Sequence, residues 1–123
     1  MYWHHWFGIG SFFAGLGVAL GAFVSHALKG KLSPEQILTF ETAVRYQMYH
    51  AFALLAVSFA STRIDNLPIK AAGCAFIGGI IFFSGSLYTL IFVDNSRWAG
   101  PLTPIGGACF ILGWILLITA SFS

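Results

Sequence analysis

Four long apolar stretches alternate with short polar segments along the chain. The stretches cover residues 6–28, 40–60, 70–93 and 103–122, and the segments between them hold most of the charged residues. A helix needs ~20 mostly apolar residues to cross the hydrocarbon core of a bilayer, at a rise of ~1.5 Å per residue. Connections this short make consecutive helices antiparallel neighbours. The pattern therefore predicts an all-α fold: one integral membrane, four-helix antiparallel bundle that includes residues 1–123.

The second predicted helix begins before its apolar stretch does. Ser33 suits the N-cap position, Pro34 the first helical position and Gln36 the third, which together form a capping box. We therefore predict helices over residues 6–28, 34–60, 70–93 and 103–122. A helix over 34–60 is longer than the hydrocarbon core is thick, so we expect its first turns to stand outside the membrane or the helix to tilt.

Small residues recur at spacings of four or seven on the first, third and fourth predicted helices. In lipid, burial of apolar surface contributes little to helix association. Association depends instead on close packing of the backbones, which small residues allow. We expect these positions to pack the helices together within the bundle, and a homo-oligomer face is the alternative. The positions are Gly17, Gly21, Ser25, Gly78, Gly85, Gly106 and Gly113.

Composition agrees with a lipid environment. Hydrophobic residues make up 58% of the chain and charged residues only 8%, against roughly 25% charged in an ordinary soluble domain. These are too few polar groups to coat a soluble surface of this size. The net charge is +2 and no basic run is present, so we expect membrane lipid and not nucleic acid as a partner.

The distribution of basic residues bears on the N-terminus and on orientation. The first basic residue, Lys29, follows the first apolar stretch, so that stretch lacks the basic start of a secretory signal and is expected to be retained. The first and third connections carry Lys29, Lys31 and Arg97, against Arg63 and Lys70 on the other side. The positive-inside rule then places both termini outside the cytoplasm, by a margin of one charge.

The second helix carries most of the candidate functional residues. They lie in the segment F-E-T-A-V-R-Y-Q-M-Y-H, which includes Gln47. Ionisable residues in or near a membrane segment are costly and are functional-site hypotheses by default. Counting turns places side chains from all four helices in the leaflet of the first connection, with His50 near mid-membrane as the floor. The predicted polar pocket comprises His26, Glu41, Arg45, Tyr46, Tyr49, His50, Ser84, Tyr88 and Thr103.

Three interpretations of this cluster stay open at the level of sequence. Glu41 and Arg45 have the i, i+4 spacing of an ion pair that fixes helix register at the headgroup level. The cluster could instead bind a ligand or ion, or contact another subunit. We expect His50 to be a hydrogen-bonded interior residue and not a proton carrier.

The residue spacing does not fit a haem site, a zinc site or a recognised catalytic motif. Two axial haem histidines must face each other at one depth, whereas His26 and His50 are predicted several turns apart. Ligands for zinc do not cluster, and no phosphate loop or nucleophile elbow is present. We therefore expect no catalytic, cofactor or metal site and no enzyme activity.

Several motifs resemble one family. They are G-A-F-V-S-H-A-L (21–28), F-E-T-A-V-R-Y-Q-M-Y-H-A (40–51), S-G-S-L-Y (84–88) and P-L-T-P-I-G-G (101–107). They resemble the domain-of-unknown-function 423 family, the YgdD-like bacterial inner-membrane proteins related to eukaryotic transmembrane protein 256. The resemblance implies a four-span protein of the cell inner membrane, or of a mitochondrial or other membrane in a eukaryote, with no established activity.

Three functions stay open as expectations, and one of them, an intramembrane enzyme or quinone-type redox site, lacks a recognisable catalytic set. The first of the other two is a structural, accessory or assembly component of the membrane, in contact with a larger membrane complex or with its own copies. A chain with almost no mass outside the membrane suits that role. The alternative is a small oligomeric transporter or channel that uses the polar pocket, and a single bundle of four helices is small for alternating access.

Overall fold

The computed structural model describes residues 2–122, and helices account for most of them. The elements, in chain order, are α1 (Trp3–His26), α2 (Pro34–Ser61), α3 (Leu67–Gly79), a π-helical turn (Ile80–Ser84), α4 (Gly85–Phe92), a 3-10 turn (Arg97–Ala99) and α5 (Leu102–Ala120). The π turn joins α3 to α4 without a break, so that Leu67–Phe92 is one rod. The protein is therefore an all-α chain of four long helices, as the apolar pattern predicts.

Three of the four helices are long and apolar enough to cross a membrane: Trp3–His26, Leu67–Phe92, and Arg97–Ala120, which includes the 3-10 turn. Each has at least 24 residues and so extends over more than the ~30 Å of a hydrocarbon core. The longest helix, α2, is not among the three, because polar and charged residues occupy its first half. That α2 also crosses the membrane stays a prediction.

The start of α2 has the geometry that its sequence predicts. The Gln36 backbone N–H donates to Ser33 Oγ at 3.1 Å, and the Ser33 backbone N–H donates to Gln36 Oε1 at 2.9 Å. Pro34 occupies the first turn, where its missing N–H costs nothing. Since these contacts lie within four residues, they need no tertiary structure to form, and the capping box is confirmed.

The bundle has α2 near its centre. α1 packs on one side of α2, the Leu67–Phe92 rod packs on another, and α5 packs on the rod. Ser58 Oγ near the end of α2 donates to the carbonyl oxygen of Trp3 at the start of α1, at 2.8 Å, as antiparallel neighbours require. The buried core contains the following large side chains: Trp6, Leu54, Val57, Ile69, Phe76, Ile80 and Phe110.

Glycine sets the distance between α5 and the rod. A Cβ atom at Gly106 would overlap the backbone of Phe82 and Phe83, and one at Gly113 would overlap the ring of Phe76. Because the backbone at Phe83 belongs to the π turn, α5 lies directly on the segment where the rod departs from α-helical geometry. The π turn itself is closed by the Gly85 N–H, which donates to the Ile80 carbonyl oxygen.

The other small residues on the predicted stripes are less crowded. A Cβ at Gly17 would overlap the side chain of Met48, whereas Gly21 meets Val44 only at ordinary contact distance. Ser25 is exposed. Gly78 lies beside the sulfur of Cys109, and at Gly85 the nearest neighbour is a carbonyl of its own helix. Three further glycines, which are not among the predicted packing positions, make tight helix contacts: Gly10, Gly73 and Gly79.

Candidate functional site

The buried amide of Gln47 joins three helices. Its Nε2 donates to the carbonyl oxygen of Phe13 on α1 at 2.9 Å, and its Oε1 accepts from the hydroxyl of Tyr88 on α4 at 2.8 Å. Gln47 is only 1% exposed. In an apolar interior an unpaired amide would be costly, so using both of its ends stabilises this arrangement of helices.

Two further bonds between polar side chains and neighbouring helices lie close to the π turn. Ser84 Oγ donates to the carbonyl oxygen of Ala43 on α2 at 2.7 Å. Ser86 and Thr103 share a hydrogen bond of 2.5 Å between α4 and α5. Ser84, Tyr88 and Thr103, all members of the predicted pocket, are therefore engaged in contacts that hold helices together.

His50 is a hydrogen-bonded interior residue with a defined tautomer. Its Nδ1 lies 2.8 Å from the carbonyl oxygen of Tyr46, which can only accept, and its Nε2 lies 3.1 Å from the indole N–H of Trp114, which can only donate. The ring is therefore neutral with its proton on Nδ1. Since both nitrogens are used, neither is free to bind a metal or to relay a proton in this arrangement.

A double-mutant cycle tests the bond between Gln47 and Tyr88. Tyr88→Phe keeps the ring on Phe40 and removes only the hydroxyl, so it should lower the free energy of unfolding by about 1 kcal/mol. Gln47→Met removes the amide at similar volume. We expect the double variant to lose less than the sum of the two single losses, by about 1 kcal/mol, in equilibrium unfolding in mixed micelles.

The control for this cycle is Tyr49→Phe, since Tyr49 lies on the same helix and its hydroxyl takes part in none of the bonds described above. That variant should cause no loss of stability, because it breaks no hydrogen bond. Strictly additive losses in the cycle would show that the bond between Gln47 and Tyr88 contributes nothing to stability.

The charged members of the predicted pocket lie elsewhere. Glu41, Arg45 and His26 are exposed, and the expected Glu41–Arg45 ion pair is not formed. Among residues 2–122 the ion pair present joins Lys70 Nζ to Asp65 Oδ1 at 3.2 Å. Glu41 and Arg45 instead flank a shallow groove of about 230 Å³ between α1 and α2. The single pocket predicted from the sequence is thus divided, because these side chains point away from the helices that carry Ser84 and Tyr88.

A large concave surface lies between α2 and α5. It has a volume of about 760 Å³, and we call it the aromatic groove. One wall is α2, the other is α5, and Phe83 of the π turn lies between them. The lining residues are Tyr46, Tyr49, His50, Phe83, Pro104, Gly107, Ala108, Phe110, Ile111 and Trp114.

The aromatic groove exists because side chains, more than backbone contacts, join α2 to α5. α5 packs closely on α3 and on the π turn, which leaves His50 to bridge to α5. The His50 ring stacks on Phe110 with centroids 3.5 Å apart and planes 9° apart. Tyr46 lies beside Phe83 at a centroid distance of 4.9 Å. The groove therefore has flat aromatic walls with the neutral imidazole at its base.

Three of the nine predicted pocket residues line the aromatic groove: Tyr46, Tyr49 and His50. Gln47 and Trp114 are important to the site but were not among those nine. Each carried a signal in the sequence: Gln47 is an amide in the middle of a long helix, and Trp114 is a tryptophan inside an apolar stretch. Tryptophan usually lies at the ends of membrane helices, where its N–H meets water, so a central one needs a partner.

Comparison with known proteins assigns the chain to a set of membrane proteins. The family model described as protein of unknown function (DUF423) matches residues 20–107. The UPF0382 membrane protein SAB0533 of Staphylococcus aureus (strain bovine RF122 / ET3-1) is 44% identical, with 93% of this chain and 92% of that protein covered. The UPF0382 membrane protein YwdK of Bacillus subtilis (strain 168) is 39% identical, with 92% of each covered.

A third relative has a comparable identity over a slightly shorter stretch. A UPF0382 membrane protein of Haemophilus influenzae is 42% identical over 105 residues, with 85% of this chain and 83% of that protein covered. No solved structure matches this chain.

Proposed function

Because the chain belongs to the DUF423 family of bacterial membrane proteins, we propose that it acts as an accessory component of the inner membrane, a structural or assembly subunit of a larger complex. The observation that carries this proposal is that the polar groups of Gln47, His50, Ser84, Tyr88 and Thr103 are bonded to partners on neighbouring helices. Such a bundle is built to hold its shape and to present its outer faces.

Transport would need the opposite arrangement. A solute or ion crossing the membrane exchanges its hydration shell for polar groups that line its path. The amide of Gln47, the imidazole of His50 and the hydroxyl of Tyr88 are instead directed to partners on other helices. Opening a path through them would break the bonds that join α1, α2, α4 and α5, and this argues for the accessory role over the transport alternative.

The outer face of α2 is where we expect the larger complex to bind. Glu41 and Arg45 are exposed on it and are not paired with each other. Charged side chains on a membrane-embedded helix are stabilised by a partner of opposite charge or by headgroups. A neighbouring subunit that supplies both charges would use this face and the shallow groove beside it.

Extraction from native membranes tests the accessory role. The tagged chain, taken up in mild detergent after cross-linking, should carry a defined partner at a fixed ratio. Arg45→Gln should reduce recovery of that partner severalfold, whereas Lys31→Gln, a charge change in the first connection, should not. Purification of the chain alone, together with solute flux in liposomes that His50→Ala abolishes, would favour transport instead.

A further inference from the structure

The aromatic groove lies at the mid-depth of the bundle. Tyr46, Tyr49 and His50 fall in the middle of α2, which runs Pro34–Ser61. At this level Gln47 reaches Phe13 in the middle of α1, and Gly79 in the middle of the rod packs on Phe110 in the middle of α5. Four helix centres meet here, so with all four helices spanning the bilayer, as the sequence predicts, the groove would open toward the hydrocarbon and away from the headgroups.

Two tyrosines at this depth are out of their usual place. Tyrosine favours the membrane interface, where its ring is in lipid and its hydroxyl reaches water. Tyr46 is 37% exposed and Tyr49 is 52% exposed, and neither hydroxyl takes part in the hydrogen bonds found among residues 2–122. A hydroxyl without a partner in hydrocarbon is costly.

The side chains around Tyr46 and Tyr49 cannot provide hydrogen-bond partners for the two hydroxyls. The His50 nitrogens are committed to the Tyr46 carbonyl oxygen and to Trp114. The rest of the lining is apolar: Phe83, Phe110 and Ile111 together with small residues of α5. A polar partner for the tyrosine hydroxyls must therefore come from outside the chain, at a depth that water rarely reaches.

The shape of the groove limits what that partner can be. Its walls are flat rings, and a volume of about 760 Å³ is within the range of small-molecule sites, roughly 300–1,000 Å³. A flat ring would stack well between such walls, and its substituents would extend through the open side into the lipid. A plain acyl chain would fit the walls but would leave both hydroxyls unpaired.

We propose that the aromatic groove binds the head ring of a membrane-dissolved quinone-class lipid. Its ring carbonyl oxygens accept hydrogen bonds from the hydroxyls of Tyr46 and Tyr49, and its ring packs beside Phe83, Phe110 and Trp114. The proposal concerns binding only and involves no electron transfer. It does not depend on the accessory role, because the site would be present whether or not a larger complex is bound.

The test uses the full chain in nanodiscs of phosphatidylethanolamine and phosphatidylglycerol, titrated with decylubiquinone and followed by quenching of tryptophan fluorescence. Saturable quenching is expected, since Trp114 lines the groove. The Tyr46→Phe, Tyr49→Phe double variant keeps both rings and removes both hydroxyls. It should bind roughly tenfold or more weakly, since each bond contributes about 1 kcal/mol.

A matched pair of glycine variants separates site binding from partition into the lipid. Gly107 lines the groove, and a Cβ built there meets no atom within 4 Å. Gly107→Leu should therefore fill the groove without displacing the backbone and should abolish saturable quenching. Gly15 on α1 is equally open and does not line the aromatic groove, so Gly15→Leu should bind like the parent chain.

A second probe tests whether the groove recognises the ring oxygens of the quinone. Decylbenzene has a flat ring and the same tail but no oxygen, and it should compete with decylubiquinone far less well. Equal competition by decylbenzene, or an unchanged affinity in the double tyrosine variant, would overturn the proposal, because the groove would then be a purely apolar slot. Absence of saturable quenching, or a partner helix cross-linked in the groove, would overturn it as well. None of these outcomes depends on whether a complex copurifies through Arg45.

Discussion

Gly106→Ala should destabilise the bundle severely, whereas Gly107→Ala, one residue further on, should leave it intact. The added methyl group at position 106 would overlap the backbone nitrogen of Phe83 and the carbonyl carbon of Phe82. Backbone atoms cannot rotate away as a flexible side chain can, so α5 must move off the rod. We expect a loss of about 3 kcal/mol, the upper part of the range for overpacking.

The neighbouring glycine makes this a matched comparison. Both glycines lie in α5 (Leu102–Ala120), and both replacements add one methyl group and the same gain in helix propensity. Nothing lies within 4 Å of a Cβ at Gly107, so Gly107→Ala should cause no loss of stability and a gain of at most about 1 kcal/mol from helix propensity. Equilibrium unfolding in mixed micelles measures both. Equal effects of the two changes would mean that α5 does not lie on the π turn as described.

The elements of this fold were predictable because local rules specify them. Apolar length predicts each long helix, and the Ser33–Gln36 capping box gives the start of α2 to the residue. The start of α1 was predicted at residue 6, whereas the helix begins at Trp3. There the Tyr2 backbone N–H donates to the ring of His5 at 3.0 Å, a side-chain cap that the usual list of capping residues omits.

The level of a residue along the bundle was easier to predict than its direction around each helix. A rise of ~1.5 Å per residue holds for any helix, so His50 falls at the level of the other helix centres as expected. The face that a residue presents depends instead on how its helix is rotated. The π turn contributes here, because its wider turn shifts the angular positions of Gly85–Phe92 relative to Leu67–Gly79.

The consequences can be seen in Ser84 and Tyr88. They are four residues apart and both face α2, where they bond to Ala43 and Gln47. Glu41 and Arg45 are also four residues apart, yet they lie on the outer side of α2. The i, i+4 spacing says only that two side chains share a face. Whether that face is inside or outside is decided by packing between helices, which no local pattern records.

Trp6→Ala is the second change for which we expect a large effect. Trp6 is 1% exposed and is among the largest fully buried side chains of the core. Its ring occupies the space over Gly73 on α3, where any Cβ atom would overlap it. Removing the ring leaves a cavity where α1 meets the rod, and Phe or Trp to Ala changes in packed cores cost about 3–5 kcal/mol.

Variants of Trp6 measure the contribution of packing to stability without a simultaneous loss of a hydrogen bond. Within residues 2–122 its indole nitrogen has no hydrogen-bond partner, so Trp6→Ala breaks no such bond and the loss should follow the volume removed. Trp6→Phe should therefore fall between the parent chain and Trp6→Ala in equilibrium unfolding. Trp98→Ala is the control: that side chain is 64% exposed, and its removal should cost less than about 0.5 kcal/mol. A Trp6→Phe variant as unstable as Trp6→Ala would show that the indole nitrogen has a partner after all, and that the contact with Gly73 is not what anchors α1.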